Sequence, residues 1–310
     1  MAIITSYSSQ SLLNNLTNQQ NKLYELYNKI NTNQKYNNIS ENPIAAADLI
    51  QINNQLAQIG AYARNIENAT TQINAQDEVF SQIVDKMQRI NDLAIQAANT
   101  ASGEEGFKAC RTEIEQLKRN IIDLANTQYD GKYIFAGTNV TTKPFELAED
   151  GTVTYHGTPE NNTAGYERSL EIADGVKIEL NSAGDTIFGT YDPNDPANCS
   201  GLFGAIGELE AILDTEPMDN QAVSNHLGAI QDSIKHISEI QSVHSTTVSK
   251  LTMTSELLDS NEITLSSRKA EISEVDMTSA ISELVKQNYA LQASMQAYTI
   301  ISNQSLLDYI

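Results

Sequence analysis

The residues able to do chemistry are few and scattered. The histidines are His156, His226, His236 and His244. A helical metal pair needs ligands one turn apart; the nearest two, His236 and His244, are two turns apart, so the spacing predicts solvated or seam histidines. Cys110 and Cys199 lie about 90 positions apart, which is neither a disulfide framework nor a ligand cluster. Cys110 falls on an apolar helical face and is expected to be a small buried hydrophobe; Cys199 falls in a loop as a free thiol. Asp192-Pro193-Asn194-Asp195 clusters oxygens without calcium-loop spacing and reads as a turn. Glu104-Glu105 reads as a solvated pair near a helix start. The sequons at Asn38, Asn68 and Asn139 carry no assigned role in so Asn-rich a chain. No P-loop, GxGxxG, GxSxG or HExxH motif occurs. The residues therefore give no catalytic, cofactor-binding or metal site, and the chain is not expected to be an enzyme.

The elements that would position such residues are long and helical. Positions 49, 52, 56, 59, 63, 66, 70, 73, 77, 80, 83, 87, 90, 94 and 97 follow strict 3,4 spacing, and only Thr70 and Asp77 are polar. That is a coiled-coil seam on a helix of roughly 80 Å. Pro43 suits its first turn, Asn42 its cap, and Ser102-Gly103 its end. A second helix is expected over Glu104–Asp130, with Cys110, Ile114, Leu117, Ile121 and Leu124 on one face. A weaker seam runs from 223 to 265, with polar breaks at Gln241, His244, Ser255 and Glu262; a helix break is expected near Ser266–Ser273. Between the helical halves, Lys132–Ala136, Val153–His156, Val176–Leu180 and Thr186–Phe188 read as short strands. Turns at Asp130-Gly131, Glu149-Asp150-Gly151, Thr158-Pro159, Asn181–Gly184 and Asp192–Pro196 separate them.

The fold class expected is mainly α with a β-rich insert: a long antiparallel coiled-coil rod formed by both chain ends, with a small β domain at the tip. The expected domains are 1–42 with 272–310 (terminal helices), 43–130 with 202–271 (rod), and 131–201 (acidic outer domain).

Charge supports this division. The chain of 310 residues has 19 basic and 40 acidic side chains, a net charge of −21. Nucleic acid and anionic membrane are poor partners for such a chain. Residues 146–220 hold 16 of the acids against Arg168 and Lys177, so the acidic middle, about residues 135–200, is expected to face solvent and to be dispensable for joining. Residues 277–307 hold only Glu283 and Lys286. Leu12, Leu16 and Leu23 near one end, and Leu284, Leu291, Met295 and Tyr298 near the other, recur at helical spacing. They are the candidate assembly interface, expected to be buried against other helices of the same and adjacent copies. Residues 1–21 carry no ionisable side chain, so a secretory n-region is missing, and no apolar run approaches the ~20 residues of a membrane span.

Particular strings carry a resemblance. Ile39–Asp48, reading ISENPIAAAD, resembles the start of the long helix in the flagellin superfamily, with Glu41-Asn42 in place of an acidic pair. Ala125–Phe145, reading ANTQYDGKYIFAGTNVTTKPF, is similar to the helix-to-β junction of the hook-associated protein 3 branch, the hook–filament junction proteins. Tyr155-His156-Gly157, Ala183–Phe188, Val275–Thr278 and the ending Ser305–Ile310 fit the same branch. The resemblance implies a structural adapter ring joining hook to filament. It also implies export without a cleaved signal to an extracellular place on the flagellum. The implied partners are copies of itself, the other hook-associated junction protein, flagellin and an export chaperone. A filament-forming flagellin and a soluble coiled-coil binding module are the competing readings. Polymerisation of the purified protein separates the first; recovery from culture supernatant separates the second.

Overall fold

The computed structural model describes residues 2–36, 38–99, 103–158, 169–179, 183–195, 198–215 and 220–307. The expected turn residues Pro159, Asn181 and Pro196, the helix stop at Ser102 and the last three residues lie outside them. Among the described residues there are seven α-helices, a short 3-10 turn and three pairs of strands. The chain divides into two compact units, residues 1–58 with 259–310, and residues 59–258.

The first unit contains α1 (Ala2–Thr32), the 3-10 turn Ile39–Glu41, the beginning of α2 (Pro43–Asn99), the end of α6 (Asn220–Ser273) and α7 (Met277–Leu307). Pro43 opens α2 because its ring presets helical φ and its missing N–H would have had no partner; Asn42 Oδ1 accepts from Ala45 N at 3.1 Å. Asp276 caps α7, its Oδ1 accepting from Thr278 N at 3.0 Å and Ser279 N at 3.2 Å. α1 and α7 pack together, and Lys35 N donates to Ser273 O at 2.7 Å where α1 has ended. α6 runs unbroken through the expected break at 266–273. The serines there are accommodated by the helix itself, as where Ser273 Oγ donates to Lys269 O. The chain turns at Glu274–Asp276 instead.

In the second unit, the seam of α2 behaves in two ways. From Ile59 to Asp77 every seventh residue (Ile59, Ile66, Ile73) is buried and the intervening seam positions are half-buried. From Phe80 to Ala97 every seam residue is buried. The difference is a third layer. α3 (Gly103–Ala125), α5 (Gly201–Asp214) and the hairpin segments close over the later stretch and form one continuous core with it. All six phenylalanines of the chain lie in that core. Phe188 stands 5.0 Å from Phe135 and 5.7 Å from Phe145, both edge-on, and Phe80 is 5.4 Å from Phe135.

The strands form three separate antiparallel hairpins: β1 (Gln128–Tyr129) with β2 (Lys132–Tyr133), β3 (Phe145–Leu147) with β4 (Val153–Tyr155), and β5 (Ser169–Ala173) with β6 (Val176–Glu179). Asp130 and Gly131 turn the first with φ of 51° and 71°, the pattern a two-residue hairpin turn demands.

Four expectations fail here. β1, β3 and β5 are strands where none was expected, and α3 ends at Ala125 rather than at the expected Asp130, with β1 following it. Thr186–Phe188 is not a strand but part of the single-turn helix α4 (Gly184–Phe188). A strand would send Ile187 and Phe188 to opposite faces, whereas one helical turn buries both at 3% and 0% exposure. The acidic middle is not uniformly solvent-facing either: Val153, Ile187, Phe188 and Tyr191 belong to the main core. Its charges sit on turns and outer strand faces, and its apolar residues anchor it.

Candidate assembly interface

Helix α7 is built to be covered on more than one side. Placing residues at 100° intervals gathers Ala280, Leu284, Leu291 and Tyr298 on one narrow face, and all four are buried or half-buried. On α1 the matching narrow face holds Leu16, Leu23 and Leu26. Leu23 and Ala280 are each only 8% exposed. The expected terminal stripe therefore finds its first partner inside the same chain. Leu12 is part of α1, but its side chain lies outside the described residues.

Met295 lies at the margin of this face, beside Leu284 on the helical wheel, and is 44% exposed. Met277 shares that margin, and Ile281, Val285 and Tyr289, each four residues on, lie progressively further round. These form a second apolar surface, open to solvent, with Ile281 and Val285 each 47% exposed and Tyr289 68%. α1 adds Leu13, Tyr24 and Tyr27, also exposed. A contiguous exposed apolar surface of this kind marks a binding face.

Electrostatics leave that surface almost uncharged. The only charges on α7 neutralise one another: Lys286 Nζ lies 3.7 Å from Glu283 Oε2. Gln287 donates to Glu283 Oε1 at 2.8 Å. That hydrogen bond, with the nearby Lys286 and Lys22 cations, holds the Glu283 carboxyl below its ordinary value.

One polar break of each seam meets the other. His244 Nδ1 and Asp77 Oδ1 are 2.8 Å apart, and the imidazole rests 5.5 Å from the Phe80 ring. His226 Nε2 faces Ala205 O at 2.7 Å and His236 Nε2 faces Thr186 O at 3.1 Å. Three of the four histidines thus join α6 to α2, α5 and α4. Sequence reasoning saw these residues only as exceptions and missed the pairing. Polar residues at seam positions were the available signal, because a buried polar group needs a partner.

It also missed Lys118, whose side chain is 2% exposed. Beside a cavity of about 450 Å³ between α3, the β3–β4 turn and α5, Lys118 Nζ donates to Glu210 Oε2 at 2.9 Å and to Gly151 O at 3.1 Å. It also sits 5.0 Å over the Tyr191 ring. A lysine satisfied in this way ties three elements together. Burial pushes the Cys110 thiol and the Tyr191 hydroxyl above their ordinary values, which makes both poor nucleophiles. Among the described residues, no three His, Cys, Asp or Glu side chains are placed to hold a metal ion, and no helix is long and apolar enough to cross a membrane.

Comparison with known proteins bears on this geometry. Residues 3–140 match the bacterial flagellin N-terminal helical region. Flagellar hook-associated protein 3 of Salmonella typhimurium is 24% identical over 322 aligned positions, 99% of this chain and 98% of that protein. The protein of the same name from Escherichia coli is 25% identical, again over 99% of this chain and 98% of its own length. Among solved structures, the flagellar junction protein FlgL from Legionella pneumophila superposes with a TM-score of 0.57 at 14% identity. That match covers 73% of this chain and 99% of that one, and shows a shared fold. The chain is similar to flagellar hook-associated protein 3 along nearly its whole length, and its residues 3–140 are similar to the flagellin N-terminal helical region.

Proposed function

We propose that the chain is a structural component of the bacterial flagellum, an adapter whose copies form a ring joining hook to filament. The observation that carries this reading is the uncharged apolar surface that α7 leaves open after pairing with α1. In the proposed mechanism, Leu16, Leu23, Leu284, Leu291 and Tyr298 hold the terminal helices together. Met295, with Met277, Ile281, Val285 and Tyr289, meets neighbouring copies, the other hook-associated junction protein and flagellin. Association must exceed the entropy of ordering these helices, about 1–2 kcal/mol per residue fixed, and contiguous apolar burial at about 25 cal/mol per Å² is the available source. In this reading the chain is exported without a cleaved signal, with the help of an export chaperone, and works outside the cell.

Deletion of the gene tests the role. Electron microscopy should show hooks without filaments, with flagellin released into the medium. Deletion cells with normally attached filaments would overturn it. Long filaments grown from the purified chain alone would favour the flagellin reading.

A further inference from the structure

The β5–β6 hairpin is fastened to α2 in a way that sets it apart from the other two hairpins. Tyr62, Asn65 and Ala69 form a second stripe on α2, beside the seam, at 3,4 spacing. Asn65 Nδ2 donates to Glu171 O at 2.7 Å, and Tyr62 Oη donates to Glu171 Oε1 at 3.4 Å. The same carboxylate oxygen accepts from Gly175 N at 3.2 Å, in the hairpin's own turn. Glu171 therefore clasps both the turn of the hairpin and the flank of the helix. Ala69, off the seam, has no exposed surface.

Ile172 and Ile178 are 0% and 7% exposed, yet neither belongs to the continuous core that holds the phenylalanines. The β1–β2 and β3–β4 segments differ, because they contribute Ile134, Phe135, Phe145 and Val153 to that core. The β5–β6 ladder is also irregular, with a register shift between Glu171 and Ala173.

We infer that the β5–β6 hairpin is a strap on α2, closed by the clasp at Glu171 and able to open while the phenylalanine core stays intact. A two-stranded hairpin has little stability of its own, so its docked state depends on the contacts it makes with α2. The strap is fastened to the stretch of α2 whose seam is only half-buried. Elements that open separately are those whose buried surface is not shared with the main core. When the strap opens, the Tyr62–Asn65–Ala69 stripe becomes accessible without unfolding the unit.

Hydrogen exchange on the full chain tests this, using a variant altered only on the helix side, Tyr62→Phe with Asn65→Ala. Loss of two hydrogen bonds should speed exchange in peptides spanning residues 169–179 by about tenfold or more. Exchange in peptides from the core stretch 80–97 should not change. Unchanged exchange in the hairpin would overturn the inference, because the clasp would then not hold it. Equal acceleration of hairpin and core would overturn it as well, because the two would then open as one cooperative body.

Discussion

Phe80, Phe135, Phe145, Phe188 and Phe203 have no exposed surface in the 59–258 unit, whereas α7 in the terminal unit leaves Ile281, Val285 and Tyr289 open. Both regions are built from amphipathic helices; they differ in how many layers cover each apolar face. Around Phe80–Ala97 the helices α3, α5 and α6 and two hairpins close on α2 from several sides. Around α7 one helix, α1, covers one narrow face. A segment that buries its apolar surface within its own chain is a scaffold. A segment that buries half and exposes the rest, with almost no charge to solvate it, is suited to a partner. The sharpest form of this contrast is that mutations in the first region should cost folding, and mutations in the second should cost assembly.

The largest effect should come from Phe188→Ala. Its ring touches four others, with centroids 5.0 to 6.2 Å away. Removing it leaves a cavity where helices and hairpins meet and should cost about 3–5 kcal/mol. Calorimetry should show the 59–258 unit melting much earlier. An unchanged melting temperature would mean that the core is not a cooperative whole and would erase the contrast.

Gly207→Ala should act in the same region through the opposite defect. A Cβ at this position of α5 would lie 2.4 Å from the Tyr191 ring. The ring is itself packed under Lys118, so it has little room to move. Overpacking should cost about 1–3 kcal/mol, seen as a lower denaturation midpoint with an unchanged slope. A helix glycine usually gains stability on replacement by alanine, so a rise in the midpoint would break the claim of close packing.

The seams were legible in sequence because heptad spacing is a local property. Ile52, Ile59, Ile66 and Ile73, and Val223, Ile230 and Ile237, are buried at the positions that spacing marks. The cap at Asn42 was legible for the same reason. What depended on distant residues was not. The partner of Asp77 lies 167 positions away. The helical turn at Gly184–Phe188 starts at a glycine pressed against Phe135 and Phe145, where an added Cβ would come within 2.8 Å of the Phe145 ring and of Phe135 O. Met295 sits at the margin of the face that α1 covers, and helical spacing alone does not separate the margin of a face from its centre. Reading the acidic middle as an outward domain followed its charges. Its few apolar residues, Val153, Ile172, Phe188 and Tyr191, decide how it is anchored.

The smallest effect on folding, and the most telling one for function, should come from Ile281→Asp. Ile281 lies on the open surface of α7, two turns before Tyr289 on the same outward drift. A surface substitution away from buried contacts should shift stability by no more than about 0.5 kcal/mol. In a ring, however, the new carboxylate would be taken from water at every copy, without a partner, which costs several kcal/mol per site. The variant should therefore be secreted, melt like the unaltered protein, and leave cells without attached filaments. Leu291→Asp supplies the contrast inside the same helix. Leu291 is half-buried on the face shared with Ala280 and Leu284, so a charge there should loosen the α1–α7 pair as well as block assembly, and hydrogen exchange in both helices should rise. If Ile281→Asp cells swim normally, the open surface is not where copies meet, and the division between a scaffold unit and a docking unit is wrong at its terminal half.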